Sequence, residues 1–258
     1  MIPILIALAA PAAAAGSPEA RFISCAEDVR KDPSSALASA QGWVDKGGGT
    51  SARQCLAMAY AASERWPEAA TAFDNAAAEA ERTRDSRAAE LRAAAGNAWL
   101  AAGEAAKART AFDSAIAGGL ANPAVEGQAR LDRGRALVAL GDLAGARADL
   151  DKAIALLPQE GLGWYLSAAL AVKEKNLTRA HIDIARAVTL SPRDAAFLLE
   201  AGNIAGMSGE LDAAKRLYDR AARSEPDSEA GTAAAAALAA NGGLDPVAAA
   251  PAAPAQPK

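Results

Sequence analysis

Few residues in this chain of 258 amino acids have types and spacings that suit chemistry. There is one histidine, His181, and the two cysteines, Cys25 and Cys55, have a C-x29-C spacing that matches no zinc or redox pattern. The glycine run at Lys46–Ser51 lacks the preceding strand and the following lysine of a phosphate loop, so it indicates a helix breaker. No G-x-S-x-G or H-E-x-x-H motif occurs. We therefore expect a non-catalytic protein that binds no metal ion or other cofactor.

The charged residues also predict no reactive site. The formal net charge is −4, with 27 Lys and Arg against 31 Asp and Glu, and no long basic run is present. A nucleic-acid partner is therefore not expected. We interpret His181 as a partly exposed helix residue, and acidic pairs such as Asp149 and Asp151 as solvated charges on helices.

The first fifteen residues, MIPILIALAAPAAAA, predict a signal peptide. Their apolar stretch is too short to span a bilayer, and Ala13 and Ala15 before Gly16 suit signal cleavage. No Lys or Arg precedes Arg21, which departs from a typical signal. The alternatives are an uncleaved membrane tether and a buried helix of a cytoplasmic protein. Export would leave the protein in the periplasm or secreted, without a stable membrane span, and would let Cys25 and Cys55 pair; otherwise they are two small buried thiols.

Alanine dominates the composition and predicts helices packed at close range. The sequence contains 76 alanines, about 29% of the residues, while aromatic residues make up only 4%. Alanine is the best helix former and a poor strand residue. This composition argues against a β-sandwich, a barrel or a parallel-sheet enzyme.

A repeated pattern, G-x-x-x-x-A-x-x-x-[FLIY]-x-x-A, runs through the middle of the chain. Its central alanines are spaced by 39, 38, 34 and 34 residues and are Ala69, Ala108, Ala146, Ala180 and Ala214. A bulky residue follows each of them by four positions, at Phe73, Phe112, Leu150, Ile184 and Tyr218. A small residue precedes each by twelve, at Ala57, Gly96, Gly134, Ala168 and Gly202. The spacing places one apolar stripe on the helix that carries each copy of the pattern. This stripe must be buried by stacking against neighbouring units.

A period near 34 with these small and bulky positions resembles the tetratricopeptide repeat (TPR), a helix–turn–helix unit. The resemblance covers residues 50–228 as five repeats and implies an all-α, right-handed α-solenoid. Residues 17–46, broken at Asp32–Pro33, are expected to form an N-terminal capping helix pair, and residues 229–240 a C-terminal capping helix. Residues 241–258 predict a disordered Ala/Pro tail. Cys25 and Cys55 would then lie on the first helices of adjacent units, which are neighbours, so a disulfide between them is geometrically reasonable.

The resemblance also implies where a partner would bind. TPR proteins line a concave groove with defined positions of each first helix, which gives the candidate residues Asn97, Leu131, Arg135, Val138, Tyr165, Val172, Leu199 and Asn203. The clamp that some TPR domains use for a terminal carboxylate is not expected, because Ala93 and Asp132 replace its lysine and second asparagine.

These features predict a protein-binding scaffold of the cell envelope that holds a protein or peptide segment in this groove. Two alternatives remain. One is a structural or assembly subunit that oligomerises through its repeats, and the other is a cytoplasmic regulatory TPR protein.

Overall fold

The structure is a computed structural model that describes residues 17–242. The predicted signal peptide, residues 1–15, and residues 243–258 of the predicted tail lie outside the described residues. Residues 17–242 form helices and no strand. The helices are α1 (Pro18–Lys31), α2 (Pro33–Asp45), α3 (Gly49–Ala62), α4 (Trp66–Thr83), α5 (Ala88–Ala101), α6 (Ala105–Ala117), α7 (Pro123–Ala139), α8 (Leu143–Leu156), α9 (Gly161–Lys173), α10 (Leu177–Leu190), α11 (Ala195–Met207), α12 (Leu211–Ser224) and α13 (Glu229–Ala240).

The described residues divide into two compact units, one that ends at Val125 and one that begins at Glu126. We call them unit 1, with α1–α6, and unit 2, with most of α7 and all of α8–α13. Within each unit consecutive helices pack against one another, joined by turns of a few residues. Short connections of this kind make neighbouring helices antiparallel. The predicted all-α fold of stacked helix pairs is therefore confirmed.

Small residues allow the two helices of a pair to approach closely. The alanines at the two small positions of the second helices are almost inaccessible to solvent, as Ala69, Ala76, Ala108, Ala115, Ala146, Ala153, Ala180, Ala187, Ala214 and Ala221. The small residue of the first helix faces the bulky residue of the second: a Cβ added at Gly96 would lie 2.8 Å from the Phe112 ring, and one at Gly202 would lie 2.5 Å from the Tyr218 ring. The bulky residue thus occupies the space that the glycine leaves.

The turn between the two helices of a pair uses a left-handed residue. Gly103, Gly141 and Gly209 have φ between +76° and +80°, a conformation that glycine adopts without steric cost. Glu64 and Lys175 occupy the same position of their repeats with φ of 56° and 59°. The turn geometry is therefore retained even where the glycine is missing.

The N-terminal helices α1 and α2 pack against α3. Ser17 and Asp32 cap the two helices by accepting hydrogen bonds from Ala20 N and Ser35 N. Cys25 on α1 and Cys55 on α3 are joined by a disulfide in the structure, with their Cα atoms 6.2 Å apart. This bond links the first helix pair to the repeat that follows it.

One interpretation of the acidic residues is wrong. Asp149 on α8 is only 3% exposed, so it is not a solvated charge. Its carboxylate accepts hydrogen bonds from Arg133 at 2.6 and 2.7 Å and from Arg130 at 3.2 Å. Because α7 supplies both arginines, a buried ion-pair network joins the two helices. Asp151, two residues later, is half-exposed and pairs with Arg179.

Candidate functional site

Two clefts lie in unit 2, with lining residues from the first helices α7, α9 and α11 of its repeats and from neighbouring elements. The first, the basic cleft, has a volume of about 150 Å³ and is lined by Gly134, Arg135, Val138, Leu150, Leu166, Ala169, Leu170 and Lys173. The second, the acidic cleft, has a volume of about 530 Å³ and is lined by Tyr165, Asp194, Ala196, Leu199, Glu200, Glu225, Ser228, Glu229, Ala230 and Ala233.

The basic cleft has an apolar floor and two cations at its edge. Leu150 and Leu170 are buried beneath it, and an added Cβ at Gly134 would lie 3.3 Å from Leu150. The guanidinium of Arg135 is exposed and lies 3.1 Å from Asp132. Lys173 is exposed and forms no ion pair within residues 17–242. The cleft can therefore accept an apolar side chain beside a carboxylate.

The acidic cleft combines an aromatic ring with four carboxylates. Tyr165 is half-buried and stacks on Phe197 of α11, with the ring centroids 5.1 Å apart. Burial, and then the negative charges of Glu200 and Asp194, raise the pKa of the Tyr165 phenol, which keeps its hydroxyl a hydrogen-bond donor.

None of the four carboxylates of the acidic cleft forms an ion pair among residues 17–242. Asp194 caps α11 by accepting from Phe197 N at 3.0 Å, and Glu200 accepts from the Asn203 amide at 3.3 Å. Glu229 lies in the first turn of α13, where the helix dipole favours a negative charge. Glu225 ends α12, where the dipole disfavours one. Local structure therefore accounts for the charges at Asp194 and Glu229 better than for that at Glu225.

Helix α9 connects the two clefts. Tyr165 lines the acidic cleft, while Ala169 and Lys173 line the basic cleft. These residues are four apart, so they lie on one face of the helix. At a rise of 1.5 Å per residue, Tyr165 and Lys173 are about 12 Å apart along the axis. An occupant lying along this face could contact both clefts.

Apart from Leu131, the predicted groove residues fall into three groups. Arg135, Val138, Tyr165 and Leu199 line the two clefts. Val172 is half-buried and packs against the core between α9 and α11, and Asn203 is half-buried beside Glu200 and accepts a hydrogen bond from Tyr218 Oη at 3.1 Å. Asn97 is exposed on α5 in unit 1.

The expectation that Leu131 contacts a partner is wrong in this structure. Leu131 is fully buried in the core cluster with Leu150 and Leu170. The side chain at this position of α7 turns inward, and Gly163 of α9 comes within contact of it, since an added Cβ at Gly163 would lie 3.4 Å from Leu131. Leu131 therefore contributes to packing and offers no surface to a ligand.

The repeat pattern did not predict the acidic lining of the second cleft. Glu200 directly follows the candidate Leu199, and the contact positions of the family pattern skip it. Glu225, Glu229, Ala230 and Ala233 belong to the end of α12 and to α13. Helix α13 was expected to act only as a cap. The sequence signal that could have found them is the series of acids at positions 194, 200, 225 and 229, in and after the last repeat.

No other group in the described part of the chain offers a reactive arrangement. His181 is half-buried on α10, with its Nε2 2.7 Å from the Ser208 hydroxyl and 4.0 Å from Glu210. Within residues 17–242 no cluster of three or more His, Cys, Asp or Glu side chains is placed to hold a metal ion. In the same residues, no helix has the length and apolar character needed to cross a lipid bilayer.

Comparison with known proteins identifies relatives by structure alone. No protein-family model and no curated protein sequence matches the chain. Among solved structures, PilW, described as a widely conserved type IV pilus biogenesis factor, is similar with a TM-score of 0.70 and 21% identity, over 84% of this chain and 97% of PilW. Pseudomonas aeruginosa pilF is similar with a TM-score of 0.68 and 17% identity, over 85% of this chain and 97% of its own.

A third similar structure is YrrB, described as a TPR protein with an unusual peptide-binding site. It has a TM-score of 0.55 and 20% identity, over 76% of this chain and 96% of YrrB. At this level of identity the likeness establishes the fold. The chain has the fold of tetratricopeptide repeat proteins, an all-α stack of helix pairs.

Proposed function

We propose that this protein is a non-catalytic scaffold of the cell envelope that binds a protein or peptide segment in the groove along α9. Residues 1–15 would act as a cleaved signal peptide. Residues 17–46 and 229–240 would cap the five repeats of residues 50–228, and residues 241–258 would form a tail. The binding surface comprises the basic cleft and the acidic cleft, with Arg135, Val138, Tyr165 and Leu199 as its predicted contacts.

The single observation that carries the proposal is the pair of clefts on one face of α9. Each has apolar walls and hydrogen-bonding or charged groups at its edge, which suits side chains of a bound segment. A helical repeat stack presents such a surface on rigid elements, so a ligand would bind without ordering the site. YrrB, described as having a peptide-binding site, shares this fold.

Crosslinking tests the binding surface. A photoreactive amino acid at Ala169 in the basic cleft should capture a partner, and the same group at Lys152, exposed on α8, should not. The double variant Arg135→Gln/Lys173→Gln should reduce capture, because it removes both cations of the cleft. The matched variant Lys152→Gln/Arg216→Gln loses the same charge elsewhere and should not. Equal capture by all forms would refute the groove as the binding site.

The disulfide and the N-terminal sequence support the envelope location. Disulfides persist in oxidising compartments and are rare in the cytoplasm, and Cys25 and Cys55 are bonded in the structure. Mass spectrometry of the protein from its native cells should find a new N-terminus after Ala15 and no free thiol. An intact Met1 together with two reduced cysteines would instead favour the cytoplasmic regulatory alternative.

The likeness to PilW favours one second candidate, an assembly subunit that oligomerises through its repeats. PilW is described as a pilus biogenesis factor, and 97% of its length aligns with this chain. Light scattering after size-exclusion chromatography separates the candidates. An oligomer that persists on dilution would support the assembly subunit, while a monomer at every concentration would refute it.

A further inference from the structure

We infer that the segment bound along α9 is dipolar, with a lysine or arginine in the acidic cleft and a carboxylate at the basic cleft. This inference rests on the proposed function and adds the chemistry of the partner. Its basis is the opposite charge of two clefts on one helix face.

The acidic cleft provides the site for the cation. Asp194, Glu200, Glu225 and Glu229 converge on it without an ion pair in the described part of the chain, and no Lys or Arg lines it. Its walls also include Leu199 and the ring of Tyr165, so the methylene stem of a lysine or arginine would pack on apolar surface while its head meets the carboxylates.

Glu225 adds to the unbalanced negative charge of this cleft. It lies between the C-terminus of α12, which disfavours a carboxylate, and the N-terminus of α13, which favours one, and it has no cation within ion-pair distance among residues 17–242. The Tyr165 hydroxyl likewise makes no hydrogen bond to a described residue, which leaves a donor at the edge of the same cleft. Both groups would gain a partner from a bound polar segment.

The basic cleft provides the site for the partner's carboxylate. Lys173 and Arg135 are exposed beside Val138 and Leu166; Arg135 already pairs with Asp132, while Lys173 has no ion pair in residues 17–242. The distance of about 12 Å along α9 matches about four residues of an extended segment or two turns of a helix. Because Tyr165 lies among the carboxylates of the acidic cleft and Lys173 lies at the basic cleft, we take this axial distance as the separation of the occupant's opposite charges, with apolar residues between them.

Fluorescence anisotropy with three synthetic peptides tests this inference on the full chain. All are of about twelve residues with the same Ala/Leu frame. The dipolar peptide carries two lysines and two glutamates at that separation. The second has glutamine at all four positions, and the third has glutamate at all four. We expect the dipolar peptide to bind about tenfold more tightly than the glutamine peptide at low ionic strength, with the difference shrinking as salt screens the charges.

Matched variants assign the effect to the acidic cleft. Glu200→Gln/Glu225→Gln removes two charges without a change of size and should weaken binding of the dipolar peptide about fivefold, with little change for the glutamine peptide. The control Glu210→Gln/Asp212→Asn removes two exposed charges outside both clefts and should leave both affinities unchanged.

Several outcomes would overturn the inference. They are equal affinity for the dipolar and glutamine peptides, tighter binding of the all-glutamate peptide, an equal loss in the control variant, and no binding of any peptide. The crosslinking experiment distinguishes this failure from that of the proposed function. Capture that depends on Arg135 and Lys173 would retain the groove as the binding site, even if the peptides showed no preference for charge.

Discussion

Units 1 and 2 use the same repeat pattern but build their interiors from different residues. In unit 1 the core cluster of α3–α6 contains twelve buried residues, of which ten are alanines; the other two are Phe73 and Leu91. The clusters of unit 2 include more large side chains, among them Leu131, Leu170, Ile184, Phe197, Leu198 and Ile204. A small side chain buries less apolar surface, so each alanine contributes less to stability than each leucine.

The two units also differ in the links between their helices. Unit 1 has the Cys25–Cys55 disulfide, and its Asp74 accepts hydrogen bonds from Arg92 and Trp99 while it is still about one-third exposed. In unit 2, Asp149 is buried with two arginines. The disulfide lies in the cluster of α1–α3 with Val29, Trp43 and Leu56, and not in the alanine-rich cluster of α3–α6. We interpret the difference as two ways to stabilise a stack of short helices: a covalent link in unit 1, and larger side chains with buried ion pairs in unit 2.

Loss of the disulfide should have the largest effect, and it should be confined to unit 1. The bond closes a loop of about 31 residues, which corresponds to roughly 3–4 kcal/mol in the chain-entropy model. The variant Cys25→Ala/Cys55→Ala should lower the unfolding free energy of α1–α3 by about that amount. Hydrogen exchange resolved by mass spectrometry should show faster exchange there and no change in α9–α13. Unaltered exchange in α1–α3 would contradict the interpretation that the disulfide stabilises unit 1.

Loss of the buried carboxylate is the matching test for unit 2. Asp149→Asn removes the charge that compensates Arg130 and Arg133, and we expect the unfolding free energy of unit 2 to fall by about 2–3 kcal/mol. The control Asp151→Asn acts on a half-exposed carboxylate and should cost less than about 1 kcal/mol. Urea unfolding of both variants measures the difference. Equal losses of unfolding free energy in the two variants would mean that the buried ion pairs of Asp149 stabilise the protein no more than an exposed ion pair does.

A glycine series tests whether close helix approach matters equally in both units. Gly96→Ala in unit 1 and Gly202→Ala in unit 2 would place a Cβ against an aromatic ring, at 2.8 and 2.5 Å. We expect each substitution to lower the free energy of unfolding by about 1–2 kcal/mol, because the steric strain exceeds the gain of about 1 kcal/mol in helix propensity. Gly134→Ala, with 3.3 Å to the flexible Leu150, should be close to neutral. Thermal unfolding of the three variants would contradict this reasoning if Gly134→Ala were the most destabilised.

The repeat pattern predicted most of the fold because its physics is local. Spacing alone located the packing alanines and the bulky residues. The longer spacing after Ala69 corresponds in the structure to a longer second helix, since α4 has 18 residues and ends at Thr83. Such features depend on helix periodicity and on residue size, both of which can be read from one sequence.

The candidate site was less predictable because it depends on contacts between helices. Leu131 and Tyr165 occupy the same position of their repeats, yet Leu131 is buried and Tyr165 lines a cleft. The position within the repeat fixes the face of the helix, while exposure depends on which neighbours cover it. Asp149 shows the same limit, because its burial arises from arginines sixteen and nineteen residues earlier. Periodicity gave no indication of that pairing.

Protonation of Asp85 in the loop after α4 should have the smallest of these effects. Hydrogen bonding to Arg87 lowers the pKa of Asp85 in the loop after α4, against the opposing effect of burial. Because the folded pKa lies below the unfolded value near 3.8, the pair stabilises unit 1 above that pH. The stabilisation is lost as the pH falls through the folded pKa. Arg87 also reaches Ser51 and Gln54 of α3, so this loss should loosen the contact between the loop and α3.

The variant Asp85→Asn isolates this contribution. Between pH 5 and pH 3 it should lose less stability in unit 1 than the unaltered protein, by under about 1 kcal/mol because the pair is partly exposed. Hydrogen exchange at the two pH values, read in α3 to α5, provides the measurement, with Asp212→Asn on α12 as the control. Glu68, Glu79 and Glu81, whose pKa values are also lowered by arginines, belong to the same unit. Equal acid sensitivity of α9–α13 would therefore show that these arginine pairs do not set the response.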